Sequence, residues 1–124
     1  MSDEAAIIGI GTTDFRSRVQ RSELRLAVEA AVAACADAGI DPCEIDGMCT
    51  VSTDEVGENN LAASLGLEDV RFFAEVPFGG GGTCGTVALA VAALAAGMTT
   101  TVLCWRSLNG LSGTRFGQPV PPVL

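Results

Sequence analysis

The 124-residue chain contains no histidine, no tyrosine and no lysine. It also runs out of acid part-way: all fifteen Asp and Glu residues lie at or before Glu75, and beyond Val76 only Arg106 and Arg115 are charged. Without histidine, and without a CxxC pair among the five cysteines, a zinc site has no ligand pattern to stand on. The absence of lysine, together with a net charge of −8, argues against nucleic acid as a partner. The N-terminus, MSDEAAIIGIGTT, lacks the basic region of a secretory signal. The expected compartment is therefore cytoplasmic, with no membrane association. There an odd number of cysteines does not build a disulfide framework. A second half free of acid has no solvated face of its own. It is expected to pack against protein that the first half cannot supply.

What is present is a chain 48% hydrophobic, long enough for one domain at most. It is organised around residues 77–97, PFGGGGTCGTVALAVAALAAG. Four consecutive glycines, 79 to 82, open a helix expected over residues 83–98. Glycine there allows close backbone approach and leaves the first helical N–H groups to face an anion or a developing oxyanion. Cys84 falls in the first turn, where a helix N-terminus favours a thiolate. The helix carries no charge and is apolar on every side, so it is expected to be a buried central helix. It is too short and too alanine-rich for a membrane span.

In chain order, residues 5–10 form an isoleucine-rich run expected to be a buried strand. Gly9-x-Gly11 follows the first part of a dinucleotide fingerprint. Asp14 occupies the place of the third glycine, however, and a strand end that needs glycine is the stronger reading. Arg16, Arg18 and Arg21 cluster in a loop; they could meet a phosphate, but on an acidic chain they are expected to pair with carboxylates. Ser22 is a good N-cap for a helix whose apolar positions Leu24, Val28, Ala31, Cys35 and Ala38 share one face, with Gly39 as its stop. Residues 48–52 read as a strand. Asp54, Glu55 and Glu58 make a solvated acidic loop, and residues 61–65 a short helix ending at Gly66. Residues 71–76 and 99–105 are further strands, and 106–124 a loop rich in Gly, Ser and Pro. Cys35, Cys49 and Cys104 are expected in the core, and Cys43 in a polar loop.

The resulting order, βαβαβαβ, is α/β: a mainly parallel sheet with helices on both faces. In such sheets ligands gather at the carboxyl ends of the strands, which is where the glycine run lies.

The stretches IIGIGTTDF, RSELRLAVEAAVAACADAGI, IDGM, RFFAEV, GGGGTCGTVALAVAALAAG and TTTVLCWRSLNGLSGTRFG, in this order, resemble the opening of a thiolase-superfamily protein. The branch is that of the lipid-transfer or sterol-carrier-type thiolases. The GGGGTC form is most similar to the thiolase-like aldolases of steroid side-chain breakdown. The resemblance implies that residues 1–105 are the N-terminal part of a thiolase-like domain. Residues 106–124 then begin a loop region that continues beyond this segment. It implies retro-aldol cleavage of a β-hydroxy acyl-CoA to a ketone and a shorter acyl-CoA, with the coenzyme A thioester as substrate and no cofactor held by this segment. It further implies a DUF35-domain partner protein and a homodimer paired through residues 71–76. Registering the helix through Ala88 and Leu89 places the thiolase nucleophile at Gly82. Cys84 then lies two residues on, turned by about 200° and expected to face the core. Gly81, Gly82 and Thr83 are the implied oxyanion and substrate-binding residues. The family's acid–base groups, histidine or tyrosine, come from its later part, so this segment alone is expected to be inactive. Two alternatives stand beside the aldolase: a true thiolase using Cys84, and a non-catalytic truncated subunit.

Overall fold

A computed structural model describes residues 5–14, 21–52, 56–77 and 82–108. Among these residues three helices and three strands alternate: α1 (Glu23–Ala38), β1 (Gly47–Val51), α2 (Glu58–Leu65), β2 (Phe72–Val76), α3 (Gly82–Ala95) and β3 (Val102–Cys104). A 3-10 turn, Pro42–Glu44, links α1 to β1. The strands form one parallel sheet in the order β2-β1-β3, as the βα alternation requires.

The helix ends are set by local chemistry. The Ser22 hydroxyl accepts from the Arg25 N–H at 3.1 Å and caps α1. Gly39 closes it in the left-handed conformation, φ 73°. Gly66 ends α2 in the same way, φ 75°. Before β1, Asp41 and Glu44 form a reciprocal capping box around the 3-10 turn, with Cys43 N–H donating to Asp41 and Asp41 N–H to Glu44.

β1 is buried along its whole length because it is the central strand with both faces covered. Met48, with its register partners Phe73 and Leu103, looks toward α1 and α2. There it joins Ala27, Ala31, Cys35, Leu61, Leu65 and Trp105 in the main core. Met48 and Leu61 are fully enclosed, and such burial stabilises by about 1.5–3 kcal/mol per side chain. Cys49 and Val51 look the other way, toward α3. Helices therefore cover both faces, as expected.

Three expectations need correction. Residues 5–10 form no ladder with the sheet. Instead the extended segment lies along α1, with Gly9 against Ala34 and Ala38, and Gly11 against Ala30 and Ala34. A two-residue step of extended chain, about 6.6 Å, nearly matches the roughly 6 Å between helical residues four apart, so alternate glycines meet successive alanines. The Ile10 N–H donates to Asp37 at 2.9 Å, while Ile7, Ile8 and Ile10 point outward. The glycines thus serve close packing and not a dinucleotide.

The second correction concerns α3. It is buried along one stripe only, Gly82, Thr86, Ala90 and Ala93, while Val87, Leu89 and Val91 are exposed in this chain. Apolar composition on every side invites cover all round, but the described residues cover the sheet side alone. Thirdly, Cys104 is exposed, because among the described residues β3 is an edge strand of three residues, unlike the buried Cys35 and Cys49. All five cysteines are free. Arg21 pairs with Glu29 at 2.7 Å, as expected of a cation on this chain; Arg16, Arg18, Asp54 and Glu55 lie outside the described residues.

The amino edge of the sheet is gathered by Asp46. Its carboxylate accepts from the Thr99 hydroxyl at 2.5 Å and the Thr100 hydroxyl at 2.9 Å. The N–H groups of Thr100 and Thr101 also donate to it, each at 2.9 Å. Its backbone oxygen accepts from Arg71 and Phe72, so one residue ties the entries of all three strands. Partial burial pushes the Asp46 pKa up. The hydrogen bonds from Thr99, Thr101 and Thr100 outweigh that and bring it down to about 2, from 3.8. A depressed carboxylate stabilises the fold fully above its unfolded value and loses that contribution as pH falls through the folded one. Asp46→Ala is therefore expected to lower stability at pH 7, with the gap to the parent closing between about pH 4 and pH 2. Denaturant titrations across that range check it; a gap that is constant with pH would show that the charge of Asp46 contributes nothing.

Candidate active site at the carboxyl edge of the sheet

The opposite edge is where the chemistry-bearing residues meet. β2 ends at Val76, and the Val76 carbonyl accepts from Ser52 N–H at 2.8 Å, holding the ends of β1 and β2 together. α3 starts above them with Gly82. A Cβ on Gly82 would lie 3.1 Å from the Pro77 carbonyl oxygen and 3.6 Å from Val51 Cγ1. One at Gly85 would meet Val76 Cγ1 at 3.2 Å. The sequence uses glycine at both positions because the first turn of α3 rests directly on the strand ends.

That turn is fixed from several directions. The buried Thr86 hydroxyl donates to the Thr83 carbonyl at 2.7 Å, and Cys104 Sγ approaches the Thr86 carbonyl at 3.7 Å. Beyond β3 the chain returns across the edge. Trp105 N–H donates to Cys49 O, Thr50 Oγ1 donates to Trp105 O at 3.1 Å, and Ser107 Oγ donates to Glu23 O at 2.6 Å. Between them Arg106 reaches α3 and donates from Nη1 to Thr83 Oγ1 at 3.0 Å. The backbone N–H groups of the first turn have no intrahelical acceptors, and they lie at the positive end of the helix dipole.

Among the expected site residues, Gly82 and Thr83 lie together on this turn; Gly81 is outside the described residues. Cys84 does not face the core as expected. The two-residue turn of the helix does separate it from Gly82, but in the opposite sense: Gly82 is buried against the sheet and Cys84 is exposed on the outer flank. The neighbouring thiols are poor nucleophiles. Burial pushes Cys49 up to about 11. It also raises Cys104, whose sulfur turns inward to the Thr86 carbonyl although the residue as a whole is exposed. Both thiols therefore stay protonated at neutral pH. Among the described residues no group of His, Cys, Asp and Glu could hold a metal ion. No helix among them is long and apolar enough to cross a membrane.

Sequence reasoning gave Arg106 no role. The available signal was its isolation: it is one of two charges after Val76. Its partner, 23 positions earlier, could not be read without the fold.

No protein-family model matches the chain. It is 46% identical over 113 residues to a steroid side-chain-cleaving aldolase of Thermomonospora curvata, covering 91% of this chain and 29% of that protein. It is 45% identical over 118 residues to the 17-hydroxy-3-oxo-4-pregnene-20-carboxyl-CoA lyase of Mycobacterium tuberculosis, covering 95% of this chain and 31% of that protein. The solved structure of an Ltp2-ChsH2(DUF35) aldolase superposes with a TM-score of 0.85 at 44% identity, over 91% of this chain and 30% of that one. An SCP2-thiolase-like protein of Mycobacterium smegmatis matches at TM-score 0.63 and 26% identity, over 79% of this chain and 22% of that one. The chain is thiolase-like. This thiolase-like chain spans about three tenths of the length of the curated relatives it matches. A 3-oxoacyl-[acyl-carrier-protein] synthase III from Aquifex aeolicus, at 18% identity and TM-score 0.59, shares the fold alone.

Proposed function

We propose that this chain is the N-terminal part of an acyl-CoA aldolase that cleaves a β-hydroxy acyl-CoA of the steroid side-chain type. The reading is carried by 45–46% identity, sustained over more than nine tenths of the chain, to proteins named for that cleavage. In the reaction a base takes the β-hydroxyl proton and the C–O bond becomes a ketone. The Cα–Cβ bond breaks, and its electron pair becomes the enolate of the shorter acyl-CoA, which is then protonated at Cα. No acyl-enzyme forms. Consistent with this, Gly82 stands at the register of the thiolase nucleophile and has no side chain to acylate, and Cys84 is turned from it.

The chain's part is to hold the thioester oxygen as it becomes an enolate oxygen, through the N–H groups of Gly82 and Thr83 and, by the family register, Gly81. The substrate is a coenzyme A thioester, and no cofactor is needed from this segment. The base belongs to the rest of the protein, since this chain has neither His nor Tyr. A DUF35-domain partner is proposed on the likeness to the Ltp2-ChsH2(DUF35) aldolase. A homodimer through residues 71–76 is proposed because β2 is an edge strand among the described residues, with Phe73 partly exposed. Cytoplasmic residence is proposed on composition alone.

In the full-length enzyme with its partner, Cys84→Ala is expected to keep turnover of a β-hydroxy acyl-CoA within about threefold of the parent. Mass spectrometry after turnover is expected to find no acylated cysteine, and light scattering two copies of the chain per assembly. Loss of turnover in Cys84→Ala, with an acyl adduct on Cys84 in the parent, would restore the thiolase alternative. A mass corresponding to one copy would remove the dimer.

A further inference from the structure

We infer that Arg106 is a positioning residue for the enolate-stabilising turn, and that it acts through the hydroxyl of Thr83. The inference rests on the aldolase reading, and it adds a side-chain donor to backbone donors. Three observations carry it. First, the Arg106 guanidinium donates to Thr83 Oγ1 at 3.0 Å. A hydroxyl that accepts from a cation is polarised, and it still has its own proton to give. Secondly, that proton has no acceptor among the described residues, and Thr83 lies exposed at the start of α3, beside N–H groups that have no intrahelical acceptor. Thirdly, the rest of Thr83 is held still. Its carbonyl accepts from the buried Thr86 hydroxyl at 2.7 Å, and the Arg106 backbone is flanked by Trp105 and Ser107, each hydrogen-bonded into the sheet or α1.

The guanidinium thus fixes where the Thr83 hydroxyl points and leaves its proton as the free donor. An oxygen that gains negative charge as the Cα–Cβ bond breaks would accept from that O–H as well as from the backbone N–H groups. Because the charge is larger in the transition state than in the bound thioester, such a donor acts on kcat more than on KM. A guanidinium that instead bound a coenzyme A phosphate would act on KM. Arg106 also brings positive charge into a half of the chain that holds one other cation and no acid.

The test uses the full-length enzyme with its partner and four variants: Thr83→Val, Thr83→Ser, Arg106→Met and Arg106→Lys. Thr83→Val and Arg106→Met are each expected to lower kcat by about 10- to 100-fold with KM changed less than about threefold. Thr83→Ser is expected to recover most of the rate and Arg106→Lys part of it. The double variant Thr83→Val/Arg106→Met should be no slower than Thr83→Val alone, because both changes remove one donor. A second readout needs no turnover: binding of a nitronate analogue of the acyl-CoA product, which mimics the enolate, should weaken in both single variants by a similar factor, while binding of the product itself does not. Multiplicative losses in the double variant, a change confined to KM, or equal nitronate affinity in parent and variants would each overturn the inference. A parent enzyme that does not turn over β-hydroxy acyl-CoA, yet shows the coupled nitronate effect, would fail the aldolase reading and keep the Arg106–Thr83 donor.

Discussion

Gly82→Val in the full-length enzyme is expected to lower turnover by about 100-fold or more while leaving the protein folded. The Cβ of any residue there would stand 3.1 Å from the Pro77 carbonyl oxygen, a backbone atom that cannot rotate aside. The valine methyls would reach further, toward Val51 Cγ1 and Val76 Cγ1, which already lie within 4 Å of that Cβ. The first turn of α3 must rise off the strand ends to make room. A displacement of about 1 Å in groups that hold a transition state costs on the order of 100-fold. The body of α3 keeps its seat, because Ala90 and Ala93 lie two or more turns away. Steady-state kinetics, together with circular dichroism and a melting curve, decide the matter. A Gly82→Val enzyme with near-parent kcat would show that the turn is not where the enolate is held.

Gly11→Val should destabilise the protein by about 3 kcal/mol or more. The added Cβ would run into the Ala30 carbonyl and the Ala34 nitrogen, both backbone atoms of α1, and lie 2.9 Å from Ala33 Cβ. Overpacking against flexible side chains costs about 1–3 kcal/mol, and a clash with helix backbone belongs at or above the top of that range. The extended segment must leave α1, and with it goes the bond from Ile10 N–H to Asp37. Gly57→Ser is the control. Among the described residues nothing lies within 4 Å of a Cβ at Gly57, which caps α2 without a side-chain bond, so serine there should be neutral or stabilise by a few tenths of a kcal/mol. Chemical denaturation of both variants reads the difference. A Gly11→Val protein as stable as the Gly57→Ser one would mean that the segment does not rest on α1 in solution.

What could be read from the residues alone was whatever local chemistry decides. Ser22 and Gly39 bound α1, Gly66 ends α2, and the phenylalanine-bearing run before α3 and the β-branched run after it became β2 and β3. The alternation of elements was enough to place Gly82, the last of the four glycines, at the carboxyl edge of a parallel sheet. The isoleucine run at residues 5–10 misled because a strand is defined by its neighbour, and no local signal shows whether one is there. Spacing alone fixes how far Cys84 is turned from Gly82 but not which of the two meets the sheet. Burial of Gly82 decided that, and it depends on Val51 and Pro77. The Asp46 and Arg106 contacts join residues 53 and 23 positions apart, so neither leaves a pattern within any window of sequence.

The position of Asp46 at one end of β1 has an electrical consequence for the other. The five residues of β1 separate it from the α3 turn by about 16 Å. That is roughly two screening lengths at physiological salt. Charges added on the solvent-exposed surface around Asp46 should therefore change the field at Thr83 and Arg106 only weakly. An engineer could recruit one edge for acid tolerance and the other for a new acyl group in separate libraries. The gains should combine by simple addition of free energies.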